Sequence, residues 1–246
     1  MSEFSGLAAL VTGGCSGIGA ATAALLRDKG AQVAVLDLRV EGAPTGVTAL
    51  RCDITDRGAV DTAVAQVAGR FGGLDVLVNN AGIGAVGAVD ANDDTQWARV
   101  LDVNVTGIAR TTTAALSHLR RSSHAAVVNL CSAVAFVGVR QRALYSASKG
   151  AVHALTLAMA ADHAADGIRV NAVAPGTADT PWVGRLLDDA EDPAAAAEAL
   201  RARQPLGRLV TAEEVAHAIV SLASPRAGAT TGTVLRVDGG MTSLRL

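Results

Sequence analysis

The chain has 246 residues, half of them hydrophobic but only 2% aromatic, so its core must be built from Ala, Val, Leu and Ile. A formal net charge of −2, with acidic and basic residues scattered along the chain, gives no electrostatic footprint for nucleic acid or a membrane surface. Cys15, Cys52 and Cys131 lack metal-ligand spacing, and no leader pattern or uninterrupted membrane-length apolar stretch is present, so a soluble cytoplasmic protein of one domain, residues 1–246, is expected.

Leu7 to Val11 is a short apolar run of the kind a buried parallel strand shows. It leads into Thr12-Gly13-Gly14-Cys15-Ser16-Gly17-Ile18-Gly19 and then an alanine-rich helix, Ala20 to Lys29. Strand, glycine turn and helix form the first half of a dinucleotide-binding βαβ unit: glycines let the backbone approach a pyrophosphate, and the helix N-terminus supplies free N–H groups. Glycines 13, 17 and 19 follow the spacing GxxxGxG rather than GxGxxG. The second strand, Ala31 to Leu36, ends at Asp37. A carboxylate about 20 residues beyond the turn suits the adenosine ribose hydroxyls and repels a 2′-phosphate, which favours NAD over NADP. Arg39, able to pair with a phosphate, argues the other way. A third strand, Val47 to Cys52, ends at Asp53-Ile54, where Asp53 either accepts from an adenine amino group or caps the helix starting near Asp56.

A helix from about Arg57 to Phe71 precedes the strand Leu74 to Val78, which stops at Asn79-Asn80-Ala81-Gly82. In an open α/β sheet, ligands bind beyond such carboxyl ends. The next helix, roughly Asp94 to Leu119, contains Asn104, a poor helix former that either distorts the helix and holds a water or is simply exposed. The fifth strand, Ala125 to Cys131, ends at Ser132. Tyr145, the only tyrosine, opens a helix running to about Asp166 that carries Lys149, one of two lysines. A spacing of four puts phenol and ammonium on one helix face, where the ammonium favours the phenolate and so suits proton exchange with an alcohol. A sixth strand, Gly167 to Val173, ends at Ala174-Pro175-Gly176. Residues 177–207 read as an irregular lid containing Trp182 and a short helix from Pro193 to Arg203. A capping box, Thr211 to Glu214, starts a helix to about Ser224, and Thr233 to Val237 is the last strand before Asp238-Gly239-Gly240. The alternation predicts an α/β, doubly wound, Rossmann-like sandwich: a seven-stranded parallel sheet with helices on both faces.

The motifs from Thr12 to Gly19, at Asp37, Asp53, Asn79 to Gly82, Asn104 and Ser132, at Tyr145 with Lys149, and at Pro175-Gly176 and Asp238-Gly239-Gly240 stand in the order and spacing of one family. Over essentially its whole length the chain resembles the short-chain dehydrogenase/reductase superfamily in its compact form. That resemblance implies a catalytic tetrad of Asn104, Ser132, Tyr145 and Lys149. Tyr145 would exchange the hydroxyl proton as hydride passes to or from nicotinamide, Lys149 would lower the phenol pKa and bind the cofactor ribose, Ser132 would donate to the substrate oxygen, and Asn104 would hold a water linking Lys149 to solvent. It further implies NAD contacts from Gly13, Ser16, Gly17, Ile18, Gly19, Asp37, Leu38, Asp53, Ile54, Asn80, Ala81, Gly82, Val103, Tyr145, Lys149, Pro175, Gly176 and Thr180. Thr177 is a further, weaker nicotinamide candidate. A homotetramer is implied as well, with the helices from Asp94 and Tyr145 and the last strand at its interfaces. Two departures stand out: Cys131 where many members carry a second serine, and Cys15 where NADP-using members often carry a basic residue, which again favours NAD.

Fold and tetrad do not name a substrate. Surface arginines are ordinarily solvated, but Arg142 precedes Tyr145 on a bordering loop while Arg185 and Arg203 lie in the lid, and guanidinium forks bind carboxylates. The segment from Pro175 to Pro181 with these arginines also resembles 3-hydroxybutyrate and deoxy-sugar-acid dehydrogenases. The expected activity is NAD-dependent hydride transfer between the cofactor and a secondary alcohol or ketone on a small hydroxylated carboxylic acid or sugar acid. The alternatives are an NADPH-dependent 3-oxoacyl-carrier-protein reductase and a catalytically silent NAD-binding sensor.

Overall fold

The computed structural model describes residues 2–188 and 190–245; Arg185 is described in its backbone only. Strands β1 (Ala8–Thr12), β2 (Gln32–Asp37), β3 (Thr48–Arg51), β4 (Val76–Asn79), β5 (Ala126–Leu130), β6 (Arg169–Pro175) and β9 (Val234–Val237) form one sheet in the order β3-β2-β1-β4-β5-β6-β9, every neighbouring pair parallel. Between β6 and β9 in sequence lie the two-residue strands β7 (Ala178–Asp179) and β8 (Val210–Thr211), which pair with each other.

Alternation along each strand divides the core into two layers. Leu10, Leu36, Leu77, Val127 and Ala172 face helices α2 (Arg57–Phe71), α4 (Gly107–Leu119) and α5 (Ala143–His163). Their neighbours Val11, Val35, Val78, Val128 and Val173 face α1 (Gly17–Asp28) and α8 (Ala212–Ala223). The doubly wound sheet predicted from the sequence is the one observed, and α8 starts with the expected capping box between Thr211 and Glu214.

Three local departures bear on the site. The long helix expected from Asp94 to Leu119 is α3 (Asp94–Leu101) and α4 joined by a π-helical turn, Asp102–Thr106, with Asn104 inside it and 1% exposed. Of the two readings of Asn104, exposure is therefore wrong; the residue distorts the helix, as π-turns at functional positions do. Second, the stretch expected to be irregular after Thr180 contains α6 (Pro181–Asp188), with proline at the first helical position, ahead of α7 (Pro193–Ala202). Third, Asp53 does not cap α2; its carboxylate accepts from the Thr55 N–H and hydroxyl at 2.9 and 2.8 Å, and Asp56 is the cap.

Sheet order reverses between β1 and β4, which pair although β2 and β3 lie between them in sequence. The Thr12 hydroxyl fastens this switch point, accepting from the Asn80 and Ala81 N–H groups at 3.0 and 3.1 Å. The crevice a doubly wound sheet offers a ligand opens directly above it.

Candidate active site

A cavity of about 960 Å³ lies over the carboxyl ends of β1, β2, β4, β5 and β6. Its floor is the glycine turn. Gly13 (φ 63°) lets the turn double back so closely that a Cβ there would meet the Ala81 Cα at 2.9 Å, and the Asn80 carboxamide donates to the carbonyls of Thr12 and Gly13 at 3.0 and 2.9 Å. Gly13, Ser16, Gly17 and Ile18 line the cavity as expected. Gly19 does not: a Cβ there would sit 2.1 Å from the Gly13 carbonyl oxygen, so this glycine permits the close seat of α1 on the turn and makes no wall.

The Ser16 side chain makes no capping bond at the start of α1, and Ser16, Gly17 and Ile18 line the cavity at this helix's positive dipole end. Asp37, Leu38, Asp53, Ile54, Asn80, Ala81, Gly82 and Val103 continue the same wall, and Pro175, Gly176, Thr177 and Thr180 close it opposite. One Asp37 oxygen accepts from the Cys15 N–H at 3.0 Å and the other from the Arg39 N–H at 3.3 Å, which fixes the carboxylate at the rim. Arg39 itself is exposed and outside the lining. An anion-receptive helix terminus, a glycine cradle and a rim carboxylate fit the diphosphate and ribose of a dinucleotide.

Ser132, Tyr145 and Lys149 share the far wall. Lys149 Nζ donates to the Leu130 carbonyl at 2.7 Å and lies 5.8 Å from the centre of the Tyr145 ring. Asn104 stands behind this wall. Its Oδ1 accepts from the Ile83 N–H at 2.8 Å, and its Nδ2 donates to the Ile83 carbonyl at 2.9 Å and to Ser148 Oγ at 3.1 Å. Ser148 Oγ in turn donates to the Tyr145 carbonyl at 2.8 Å, so the π-turn is tied to the first turn of α5.

Burial governs the ionisation of these groups. It pushes the Tyr145 phenol up to about 12, against the opposing pulls of the Ser132 hydroxyl and the Arg142 charge. It pushes Lys149 down to about 8. Desolvation dominates the phenol's shift, and the pulls that oppose it come from Ser132 and Arg142 rather than from Lys149. Cys131, its thiol also raised by burial, directs Sγ to the Lys149 carbonyl at 3.3 Å.

Val134, Val139, Trp182, Leu186, Leu200 and Met241 give the lining an apolar part, while Arg99 and Asp102 also reach it. Trp182 stands 6.4 Å from the Tyr145 ring, centre to centre, and covers Gly84, where a Cβ would lie 2.3 Å from the indole. Arg142 and Arg203 reach the same cavity, near enough that Arg203 adds to the burial that lowers the Arg142 pKa. Arg185 lies on α6, its side chain outside the described residues. Sequence reasoning placed Trp182 in the lid without a role and missed Gly84, Leu186, Leu200, Met241 and Arg99, all of which line the cavity. Scarcity was the available signal for Trp182, since the chain has only two tryptophans.

Residues 13–242 match the family model described as enoyl-(acyl carrier protein) reductase. The chain belongs to the short-chain dehydrogenase/reductase family. Members of this family are oxidoreductases that use a nicotinamide cofactor, and the relatives include dehydrogenases of secondary alcohols. The chain is 44% identical to cis-4-hydroxycyclohexanecarboxylate dehydrogenase of Sinomonas cyclohexanicum, covering 96% of each sequence. It is 38% identical to 2-(S)-hydroxypropyl-CoM dehydrogenase 3 of Xanthobacter autotrophicus, covering 95% of this chain and 96% of that one. The ligand-free aldohexose dehydrogenase of Thermoplasma acidophilum superimposes with a TM-score of 0.93 at 32% identity, over 99% of this chain and 97% of the other. Among the described residues no helix is long and apolar enough to cross a membrane.

Proposed function

We propose that this short-chain dehydrogenase oxidises, reversibly and with NAD, a secondary alcohol carried on an apolar, ring-sized carboxylic acid. The observation that carries the reading is the pair Arg142 and Arg203, which border one cavity with Tyr145 whose lining also holds six large apolar side chains. Two guanidinium groups that raise each other's electrostatic cost are stabilised together by one anion between them. A sugar acid would press its hydroxyl groups against Val134, Val139, Trp182 and Leu186, where none of those side chains but the indole can hydrogen-bond. The hydroxycyclohexanecarboxylate activity named for the 44% identical relative agrees with this preference.

In this scheme Tyr145 Oη takes the alcohol proton during oxidation and returns it during reduction, while the Ser132 hydroxyl donates to the same substrate oxygen. When bound, the nicotinamide supplies the hydride acceptor or donor. Lys149 orients the ribose and relays the proton, and Asn104 holds the π-turn that keeps Ile83 and α5 in register. Asp37 and the outward position of Arg39 support NAD over NADP. Asp53 is assigned to the adenine end. Three unpaired, buried cysteines support a cytoplasmic protein. Exposed Leu157 on α5 and Leu235 on edge strand β9 support the homotetramer, which sedimentation tests directly.

The decisive assay is a panel of hydroxycyclohexanecarboxylates, sugar acids and neutral cyclic alcohols, each with NAD and NADP. A higher kcat/KM for the ring acids with NAD is expected. A preference for sugar acids overturns the substrate reading, and a clear preference for NADPH points to the acyl-carrier reductase instead.

A further inference from the structure

The lid leaves the sheet at Thr177 and returns at Arg208, and one buried side chain touches both points. Gln204 is 1% exposed; its Nε2 donates to the Thr177 carbonyl at 3.1 Å and to the Arg208 carbonyl at 2.9 Å. Its Oε1 is buried without a partner and is directed at Gly176, where a Cβ would meet it at 2.4 Å. The aliphatic part of the same side chain lies on Gly239 (φ 60°), where a Cβ would fall 3.2 Å from the Gln204 Cβ. Leu206 N–H extends the contact by donating to the Gly239 carbonyl at 3.1 Å. A Cβ at Gly176 would also meet the Asp238 backbone at 3.0 Å, so the segment after β9 both crowds Gly176 and seats the lid's return.

A buried carboxamide with an unpaired oxygen is costly, and an apolar side chain of this length would fill the same space without that cost. Its two donated bonds have a geometric consequence: they hold the lid's first and last backbone points at one fixed separation, with the residue before Gln204 being Arg203. Gly176 and Thr177 line the cavity on the cofactor side and Arg203 lines it on the substrate side.

We infer that Gln204 is a positioning residue that sets the distance between Arg203 and the Gly176–Thr177 wall, and through it the enzyme's preference for an anionic substrate. The inference rests on the proposed role of Arg203 as a carboxylate contact. Gln204 lies outside the cavity lining and acts through Arg203.

The test compares the wild type, Gln204→Met and Arg203→Ala, each assayed with NAD on cis-4-hydroxycyclohexanecarboxylate and on neutral cyclohexanol, with cofactor affinity measured separately by fluorescence titration. Gln204→Met keeps the length and removes the donors. It is expected to raise KM for the acid about tenfold, the size of effect that loss of a positioned charged hydrogen bond produces, with kcat for the acid, kcat/KM for cyclohexanol and NAD affinity within about twofold of wild type. Equal losses on acid and neutral alcohol, or a matching loss of NAD affinity, would mean a general structural prop and overturn the inference. So would no change at all beside a clear effect of Arg203→Ala. If Arg203→Ala leaves the acid KM unchanged, the carboxylate reading itself fails and this inference falls with it. Should Gln204→Met not fold, Gln204→Asn, which keeps the amide but shortens its reach, is read by the same acid-to-alcohol ratio.

Discussion

The ammonium of Lys149 is held by the Leu130 carbonyl at 2.7 Å, so the group proposed to serve the Tyr145 proton is anchored to the end of β5 rather than to the phenol. Lys149 is buried, 3% exposed, and pushed down to about 8. Its neutral form is therefore accessible in ordinary buffers, and a neutral amine can accept the proton that oxidation releases. kcat/KM for alcohol oxidation should rise with pH to a plateau through an apparent value near 8 for the Tyr145–Lys149 pair. Lys149→Arg, whose charge does not titrate in this range, should lose that limb. A pH-independent wild-type profile between 6 and about 9 would contradict the assignment.

The same shift has a sign for stability. The unfolded chain keeps Lys149 protonated to higher pH than the folded chain does, so the charged lysine opposes folding below about 8, and this cost disappears as pH rises from about 8 towards the ordinary lysine value. Lys149→Met removes the cost and should narrow the stability difference between pH 7 and pH 9 measured in urea, while lowering turnover by about 10²–10⁴.

Tyr145→Phe keeps the ring against Trp182 and removes only the oxygen. Turnover should fall by about 10²–10⁴, with NAD affinity and urea midpoint close to wild type. A loss of cofactor binding of similar size would show that the phenol acts in binding.

Gly84→Ala places a methyl group 2.3 Å from the Trp182 indole, which stands 43% exposed and is free to shift outward. Thermal stability should change little. The apolar wall beside Tyr145 should be displaced, raising KM for ring-sized substrates several-fold more than for small open-chain alcohols, as steady-state kinetics would read directly.

Asp37→Ala removes the rim carboxylate and the acceptor of the Cys15 N–H. A charged hydrogen bond is worth about 1.5–3 kcal/mol, so kcat/KM with NAD should fall about 10- to 100-fold while NADP improves relative to NAD. Unchanged cofactor selectivity would move the discriminating role elsewhere, with Arg39 the first candidate.

The sheet was legible because its signal is local and repeated: each strand is an apolar run stopped by a polar or glycine residue, as at Asp37, Asn79 and Ser132. Gly13 and Tyr145 were legible through spacing. What stayed hidden depends on contacts between segments far apart in sequence. Nothing in the residues around Asn104 announces a π-turn, since the reason for it is Ile83, 21 residues away. Gly19 reads as a ligand-facing glycine until the Gly13 carbonyl is seen beneath it. The buried chain from Thr111 to Asn79, Asn129 and Thr156, with bonds of 2.6, 2.9 and 3.0 Å, joins β4 and β5 to α4 and α5 through residues that look like ordinary polar positions in their strands and helices. The lid was misread as irregular because α6 is short and its apolar face is turned to a cavity that the sequence does not display.

The nearness of Trp182 to Tyr145 also supplies an optical probe. The only other indole is Trp97 on α3, outside the cavity lining, so a Trp97→Phe chain would emit from one residue lying beside the proposed proton-transfer group. In that chain every event that covers, polarises or moves the lid's indole becomes a change in intensity or wavelength, recorded in real time and without a label.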